Sequence, residues 1–332
     1  MNVKYMFSLI AVLLLCLLAY AGTEVAGMKT LFGVVIPYFA FLVFVVGFTY
    51  RVVDWARSPV PFRIPSTCGQ QKTLPWIQPS YTDSPYTKAG VIVRMALEIL
   101  LFRSLFRNIR LEQHGDRIIY RWEKWLWLAA LLFHYSFAVV VVRHLRFFAE
   151  PVPFFVTWLE LLDGFFQILL PGLFLSGAVL LVAVTYLLLR RIFTAQVSYI
   201  SLAADYFPLF LIIGIAVSGI MMRYITKVDV VAVKELTMGL VTFRPTIPEG
   251  VSGIFYVHLF FVSVLLAYFP YSKLMHAGGI FLSPTRNLPN NSRAVRHVNP
   301  WNQPVKVHTY EEYEDDFREK MIDAGLPVEK GA

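Results

Sequence analysis

An all-α, polytopic transmembrane helical bundle is the fold class this chain predicts, and three observations carry it. Hydrophobic residues make up 57% of the 332 residues and charged residues only 16%, against the roughly 25% charged share of an ordinary soluble domain. Six apolar runs approach the roughly 20 residues that a helix needs to cross a bilayer. The basic residues, in excess by a net charge of +8, lie between and beyond those runs. That is the distribution of membrane-surface loops, not of a nucleic-acid-binding face.

The spans are expected at about 5 to 21, 31 to 50, 125 to 142, 166 to 189, 206 to 222 and 253 to 269. The first follows Lys4 and ends in Ala19-Tyr20-Ala21-Gly22, so residues 1–28 read either as a transmembrane segment or as a signal-like anchor whose cleavage leaves five spans. Residues 29–280 form the membrane bundle, with a large loop at 51–124, and residues 281–332 form a tail. Placing the N-terminus inside puts 23 of the 30 Lys and Arg residues on the cytoplasmic side. The positive-inside rule therefore predicts a multi-pass cell-membrane protein with a cytoplasmic N-terminus (if uncleaved), loop and tail.

The loop opens on a Pro-rich stretch, Ser58 to Pro65 with Pro75, Pro79 and Pro85, which predicts irregular structure. Residues 89–110 then carry a helical pattern too charged to span, with Arg94, Glu98, Arg103, Arg107 and Arg110 among apolar residues. An interfacial helix against membrane lipid is expected there, compatible with docking of a cytoplasmic partner. The tail is expected to lie as a largely extended arm on a soluble subunit.

Candidate chemistry rests on histidines. His134 and His144 share one apolar segment, and His258 and His276 share another. Imidazole is the commonest biological metal ligand, and an ionisable group at membrane depth marks function by default. The two segments run antiparallel, so His144 falls level with His258 toward the outer face and His134 with His276 toward the cytoplasmic face. Each pair then offers two axial imidazoles to one b-type haem. His258 and His276, eighteen residues apart, share a face at about 100° per residue, whereas His134 and His144, ten apart, are offset by roughly 80°. Those separations rise about 27 and 15 Å, so one segment must tilt or break, and Pro270 supplies a cause. Arg143 and Arg146, basic where base is scarce, and Lys273 are candidates to bind anionic haem propionates. With only Cys16 and Cys68 and no C-x-x-C-H site, bound haem is non-covalent and any iron–sulfur cluster belongs to another subunit. His114, His297 and His308 lie in polar segments and read as solvated.

The histidine spacings of ten and eighteen, the five spans from the second onward and the tail resemble the cytochrome b (gamma) subunits of respiratory nitrate reductases over roughly 30 to 280. The run from Gly278 to Asn291, with Phe281-Leu282-Ser283-Pro284-Thr285-Arg286-Asn287 and Asn290-Asn291, is more similar to the cytochrome b subunits of the sulfite-reduction-associated complexes, also called Hdr-like menaquinol oxidoreductases, over nearly the whole chain. The resemblance implies a nitrate-reductase-gamma-like dihaem cytochrome b with two haem b groups on His134, His144, His258 and His276. It implies menaquinol as electron donor and a cytoplasmic iron–sulfur subunit of heterodisulfide-reductase type as acceptor in dissimilatory sulfur metabolism. Other membrane and extracytoplasmic redox subunits are implied as partners.

The nitrate-reductase relatives use a lysine near the outer haem at the start of the following span; here that region offers Glu160 and Asp163. A carboxylate accepts a quinol proton when burial raises its pKa, so these two are the candidate bases. Two rivals remain: a haem-free histidine relay in a proton channel or transporter, and a structural anchor that recruits a cytoplasmic complex through loop and tail.

Overall fold

In the computed structural model, residues 3–58, 69–164, 174–296 and 307–329 are described. Cys68, His297, most of the Pro-rich stretch and the first part of the fourth predicted span lie outside them. Six helices are long and apolar enough to cross a membrane, at Val3–Val25, Leu31–Arg57, Lys124–Phe147, Leu175–Phe193, Ala203–Tyr224 and Gly253–Tyr271. Their α-helical parts are α1 (Val3–Tyr20), α2 (Ile36–Arg57), α5 (Lys124–His144), α7 (Leu175–Phe193), α9 (Ala203–Tyr224) and α11 (Gly253–Tyr268). The fold is thus the helical membrane bundle expected.

α11 sits among α1, α2 and α9, while α7 links α9 to α5. Phe255, Tyr256, Val257, Phe260 and Phe261 of α11 are buried with Leu211 of α9, Phe32, and Val12 and Ala19 of α1. Close-packed side chains of this kind, rather than hydrophobicity, select helix neighbours in a bilayer. α1 is part of this packing: Lys4 Nζ donates to the Ser201 carbonyl (2.8 Å) and Ser8 Oγ to the Ala203 carbonyl (2.8 Å).

The break anticipated at Pro270 is present. α11 stops at Tyr268, two short 3₁₀ turns follow at Phe269–Tyr271 and Lys273–Met275, and α12 (His276–Leu282) begins at the histidine itself. Proline lacks the amide proton and its ring collides with the preceding turn. Gly47 of α2 makes room for the turned chain, since a Cβ there would stand 2.8 Å from Pro270 Cβ.

Short helices cap the bundle. α6 (Phe154–Asp163) and α10 (Val230–Val241) lie at the end where α5 finishes, and α8 (Ala195–Ile200) joins α7 to α9 at the other. α6 buries Val156 and Asp163 and exposes Phe154, Trp158, Leu161 and Leu162, the two-faced character of an interfacial helix.

The loop and tail depart from expectation. The helical pattern of 89–110 is cut at Phe102, whose φ of +48° is left-handed, giving α3 (Lys88–Leu101) and the single turn α4 (Arg103–Phe106). The Glu98 carboxylate caps the break by accepting from the Ser104 amide (3.1 Å). An antiparallel hairpin follows, β1 (Ile109–His114) and β2 (Arg117–Trp122), turned at Gly115 with φ +60°. Leu111 pairs with Tyr120 and Arg110 with Arg121, but Glu112 and Gln113 face Ile119 and Ile118, so no clean period-2 pattern marks the strands against the helical run before them. Asp83 anchors the segment through Arg103 (3.0 Å) and Arg107. Partial burial pushes its carboxyl upward, but the hydrogen bonds from Arg107 and Ser80 and the charges of Arg103 and Arg107 outweigh that and hold it below the ordinary carboxylate value.

After α13 (Pro284–Asn287), the tail is pinned to this loop by Asn290, which is buried. Its amide donates to the Pro85 carbonyl (2.7 Å), its side chain to Ser84 Oγ (3.2 Å), and its carbonyl accepts from Gln71 (3.0 Å). The acidic end is not an extended arm but a helix, α14 (Tyr310–Asp323), started by a capping box of Thr309 and Glu312.

Candidate haem sites

α5 and the α11–α12 segment bring the four histidines together in the expected crossed pairs. The ring centres of His144 and His258 are 6.3 Å apart with planes within 13°, and those of His134 and His276 are 5.9 Å apart. A metal held at about 2.0–2.1 Å from one nitrogen of each ring would need ring centres roughly 6 Å apart. His144 with His258, and His134 with His276, would therefore be the residues to hold one such metal each. Among the described residues no group of three or more His, Cys, Asp or Glu is placed to hold a metal ion, so the pairs suit a macrocycle that supplies the equatorial ligands, not a protein-only site.

The tautomers agree. His134 Nδ1 donates to the Ala130 carbonyl (2.7 Å), His144 Nδ1 to the Val140 carbonyl (2.7 Å), and His276 Nδ1 to the Lys273 carbonyl (2.8 Å). His258 Nδ1 lies 2.9 Å from Ser218 Oγ and also hydrogen-bonds the Ile215 carbonyl, which can only accept. The imidazole therefore donates there too. In all four rings Nδ1 carries the proton and Nε2 is left to coordinate, the arrangement by which an outer hydrogen bond orients a metal-ligating histidine and raises its basicity. Gly219, next to Ser218, allows close approach, since a Cβ there would meet His258 Cε1 at 3.3 Å. The residues present fit haem.

The charged candidates are arranged differently from their separate sequence assignments. Arg143 Nη1 donates to Asp163 (2.7 Å) and to Ser176 Oγ (3.1 Å), while Asp163 also accepts from the Ser176 amide (2.7 Å) and hydroxyl. Arg146 Nη1 donates to Glu160 (2.9 Å). Each arginine expected to meet a propionate is thus joined to one of the acids expected to take a proton, with Glu160 the more accessible acid at 18% side-chain exposure against 6% for Asp163. Lys273 pairs with the α9 carboxylate Asp205 (2.6 Å). It also borders a cavity of about 380 Å³ beside His276, with Arg51, Trp55 and Tyr271.

Three further residues at the sites escaped the sequence reading. Ser218 carries no signal, since a serine inside a span is ordinary. Arg51, whose buried Nε has no hydrogen-bond partner among the described residues, is hidden among the basic residues that end spans. Arg223, whose guanidinium carbon lies 3.9 Å from the Phe174 ring centre, is one of the few basic residues at its end of the bundle and was legible on that scarcity. His114 is exposed, and His308 is exposed beside Glu312 at 3.9 Å.

A multi-pass helical membrane protein with two transverse pairs of Nε2-free histidines is the class that this geometry defines. The chain belongs to the nitrate reductase gamma subunit family, whose model matches residues 87–297. It is similar to the "Hdr-like menaquinol oxidoreductase cytochrome b-like subunit" of Archaeoglobus fulgidus, 49% identical over 278 residues, which is 82% of this chain and 83% of the relative. The protein of the same name in Archaeoglobus profundus is 46% identical over 275 residues, 80% of this chain and 81% of that one.

Proposed function

We propose that this protein is the dihaem cytochrome b subunit of a menaquinol-oxidising membrane complex, and the observation that carries the reading is the pair of imidazole pairs with Nδ1 engaged and Nε2 free. His144 and His258 hold one haem b, His134 and His276 the other. Haem supplies one-electron redox chemistry when bound; the protein's part is to bind, orient and tune it. The relatives' printed names support menaquinol as donor and a heterodisulfide-reductase-like partner complex.

In this reading the concentration of Lys and Arg in the loop and tail orients both toward the cytoplasm, so the His144–His258 pair lies near the outer face. Menaquinol oxidation there releases two protons outward and two electrons, which leave singly across the bundle to a cytoplasmic iron–sulfur subunit of heterodisulfide-reductase type, with other membrane and extracytoplasmic redox subunits completing the complex in sulfur metabolism. Glu160 is the better placed proton acceptor, because Asp163 already receives three hydrogen bonds. Arg143, Arg146 and Lys273 set the charge around the two sites.

The test is the dithionite-reduced minus oxidised spectrum of the purified protein with haem quantified per chain as the pyridine haemochrome. About two b-type haems per chain, the number that two bis-imidazole pairs require, is the expected result. A folded, haem-replete expression that yields none overturns the reading in favour of a histidine proton relay.

A further inference from the structure

The charge balance around the His144–His258 pair leaves one arginine over. Arg143 is neutralised by Asp163 and Arg146 by Glu160. Among the described residues no carboxylate pairs with Arg223. Its guanidinium nevertheless has a defined place. The Phe174 ring, 8% exposed, has the Arg143 guanidinium carbon 3.1 Å from its centre and the Arg223 guanidinium carbon 3.9 Å from it. Two like charges sharing one aromatic ring repel, and the arrangement calls for a further anion. Arg223 itself is exposed, so an anion can reach it.

Its place on α9 says which anion. Gly219 faces the His258 imidazole at 3.3 Å, and Arg223 is four residues further along the same helix, hence on the same face one turn beyond. Ser218, which holds His258 Nδ1, adjoins Gly219. α9 thus presents, in sequence, the group that orients His258, the gap that admits it, and one turn further on a guanidinium that no described carboxylate pairs with. A planar guanidinium is the group best matched to a carboxylate.

We propose, resting on the dihaem reading above, that Arg223 binds a propionate carboxylate of the haem held by His144 and His258, and that its positive charge raises the potential of that haem by favouring the ferrous state. This makes Arg223 a positioning and tuning residue that acts through the cofactor's periphery.

The experiment is redox potentiometry of the full-length holoprotein, with the outer haem identified by its absence from a His144→Ala variant. Arg223→Gln is expected to lower the potential of the outer haem alone, by up to a tenfold change in the ferric to ferrous ratio, which is about 59 mV for one electron. Arg223→Lys keeps the charge and is expected to restore most of it. Lys227→Gln, which removes a nearby exposed charge, is expected to leave both potentials in place. Unchanged potentials in Arg223→Gln overturn the proposal, as do equal shifts in both haems or an Arg223→Lys as low as Arg223→Gln. Should Arg223→Gln not accumulate, a lowered outer potential in Arg223→Lys overturns it as well. Titration with a fluorescent hydroxyquinoline-N-oxide analogue of menaquinol covers the other source of an anionic oxygen. Binding retained in Arg223→Gln supports the propionate, and binding lost with potentials unchanged assigns the arginine to the quinol. A wild-type preparation without haem overturns the parent reading; wild-type with two haems and an unresponsive Arg223 overturns this inference alone.

Discussion

Replacing Ser218 with alanine removes one oxygen atom from the middle of α9 and with it the only side-chain acceptor among the four Nδ1 contacts. The neighbouring carbonyl of Gly214 loses a second donor but keeps its place in the helix, whereas His258 Nδ1–H loses the hydroxyl and keeps only the Ile215 carbonyl. A buried donor left wholly unmet costs about 1–3 kcal/mol, the upper bound here since the Ile215 carbonyl remains, and loss of an outer hydrogen bond to a metal-ligating histidine typically weakens the metal site 10–100-fold, which is about 1.4–2.7 kcal/mol. The two routes agree. In the proposed dihaem reading the imidazole would also become a poorer donor to the metal, disfavouring the ferric state, so the potential of the haem held by His144 and His258 (called outer in that reading) is expected to rise. The assay is haem transfer from the purified variant to excess apomyoglobin, with potentiometry alongside. Ser218→Ala is expected to lose its outer haem at least tenfold more readily while the inner haem is unaffected, and Ser218→Thr, which keeps a hydroxyl, to behave more like the wild type. Outer-haem retention within threefold of wild type, or a potential that falls, refutes the tautomer and the role assigned to Ser218.

Replacing His134 or His276 with alanine is expected to remove the same haem signal, and replacing His144 or His258 the other; four distinct spectral outcomes would sink the crossed pairing. Arg143→Gln strands the buried Asp163 carboxylate and is expected to destabilise the fold by about 3 kcal/mol, read as a fall in thermal midpoint, with Arg143→Gln/Asp163→Asn recovering much of it; a stable single variant would show that the pair is dispensable. Asp83 stabilises the loop because its folded carboxyl titrates below its ordinary value of 3.8. The sign follows: its contribution is full above that value and is lost as the pH falls below it toward the lower folded value. Asp83→Asn is expected to remove about 1–3 kcal/mol of local stability, seen at neutral pH as faster hydrogen exchange in α3 and the hairpin, and to flatten the acid dependence of that exchange. Equal protection in variant and wild type across the range would contradict it.

The break at Pro270 shows how far local chemistry reaches. Proline's missing donor and ring are intrinsic to the residue, so an interrupted helix between His258 and His276 was readable directly, and the interruption is what allows a separation of eighteen residues to match one of ten. The hairpin was not readable in the same way. Its short strands follow an apolar, arginine-bearing helix without punctuation until Phe102, a bulky residue that takes a left-handed conformation because Glu98 and Ser104 close the turn around it. The acidic tail is expected as a largely extended arm, yet Thr309 and Glu312 form the capping box that starts α14.

By itself the sequence determined the number of spans, their antiparallel order, the histidine pairs and the level at which each pair sits, because hydropathy, chain direction and rise per residue are local properties that accumulate along the chain. Tertiary structure alone decided which residues complete each site. Ser218 meets His258 across 40 positions, Arg143 meets Asp163 across 20, Lys273 meets Asp205 across 68, and Asn290 meets Ser84 across 206. Such contacts depend on the rotation of one helix against another. That rotation is set by the collective packing of side chains from α1, α2, α9 and α11 around a common centre, and no single stretch of sequence encodes it.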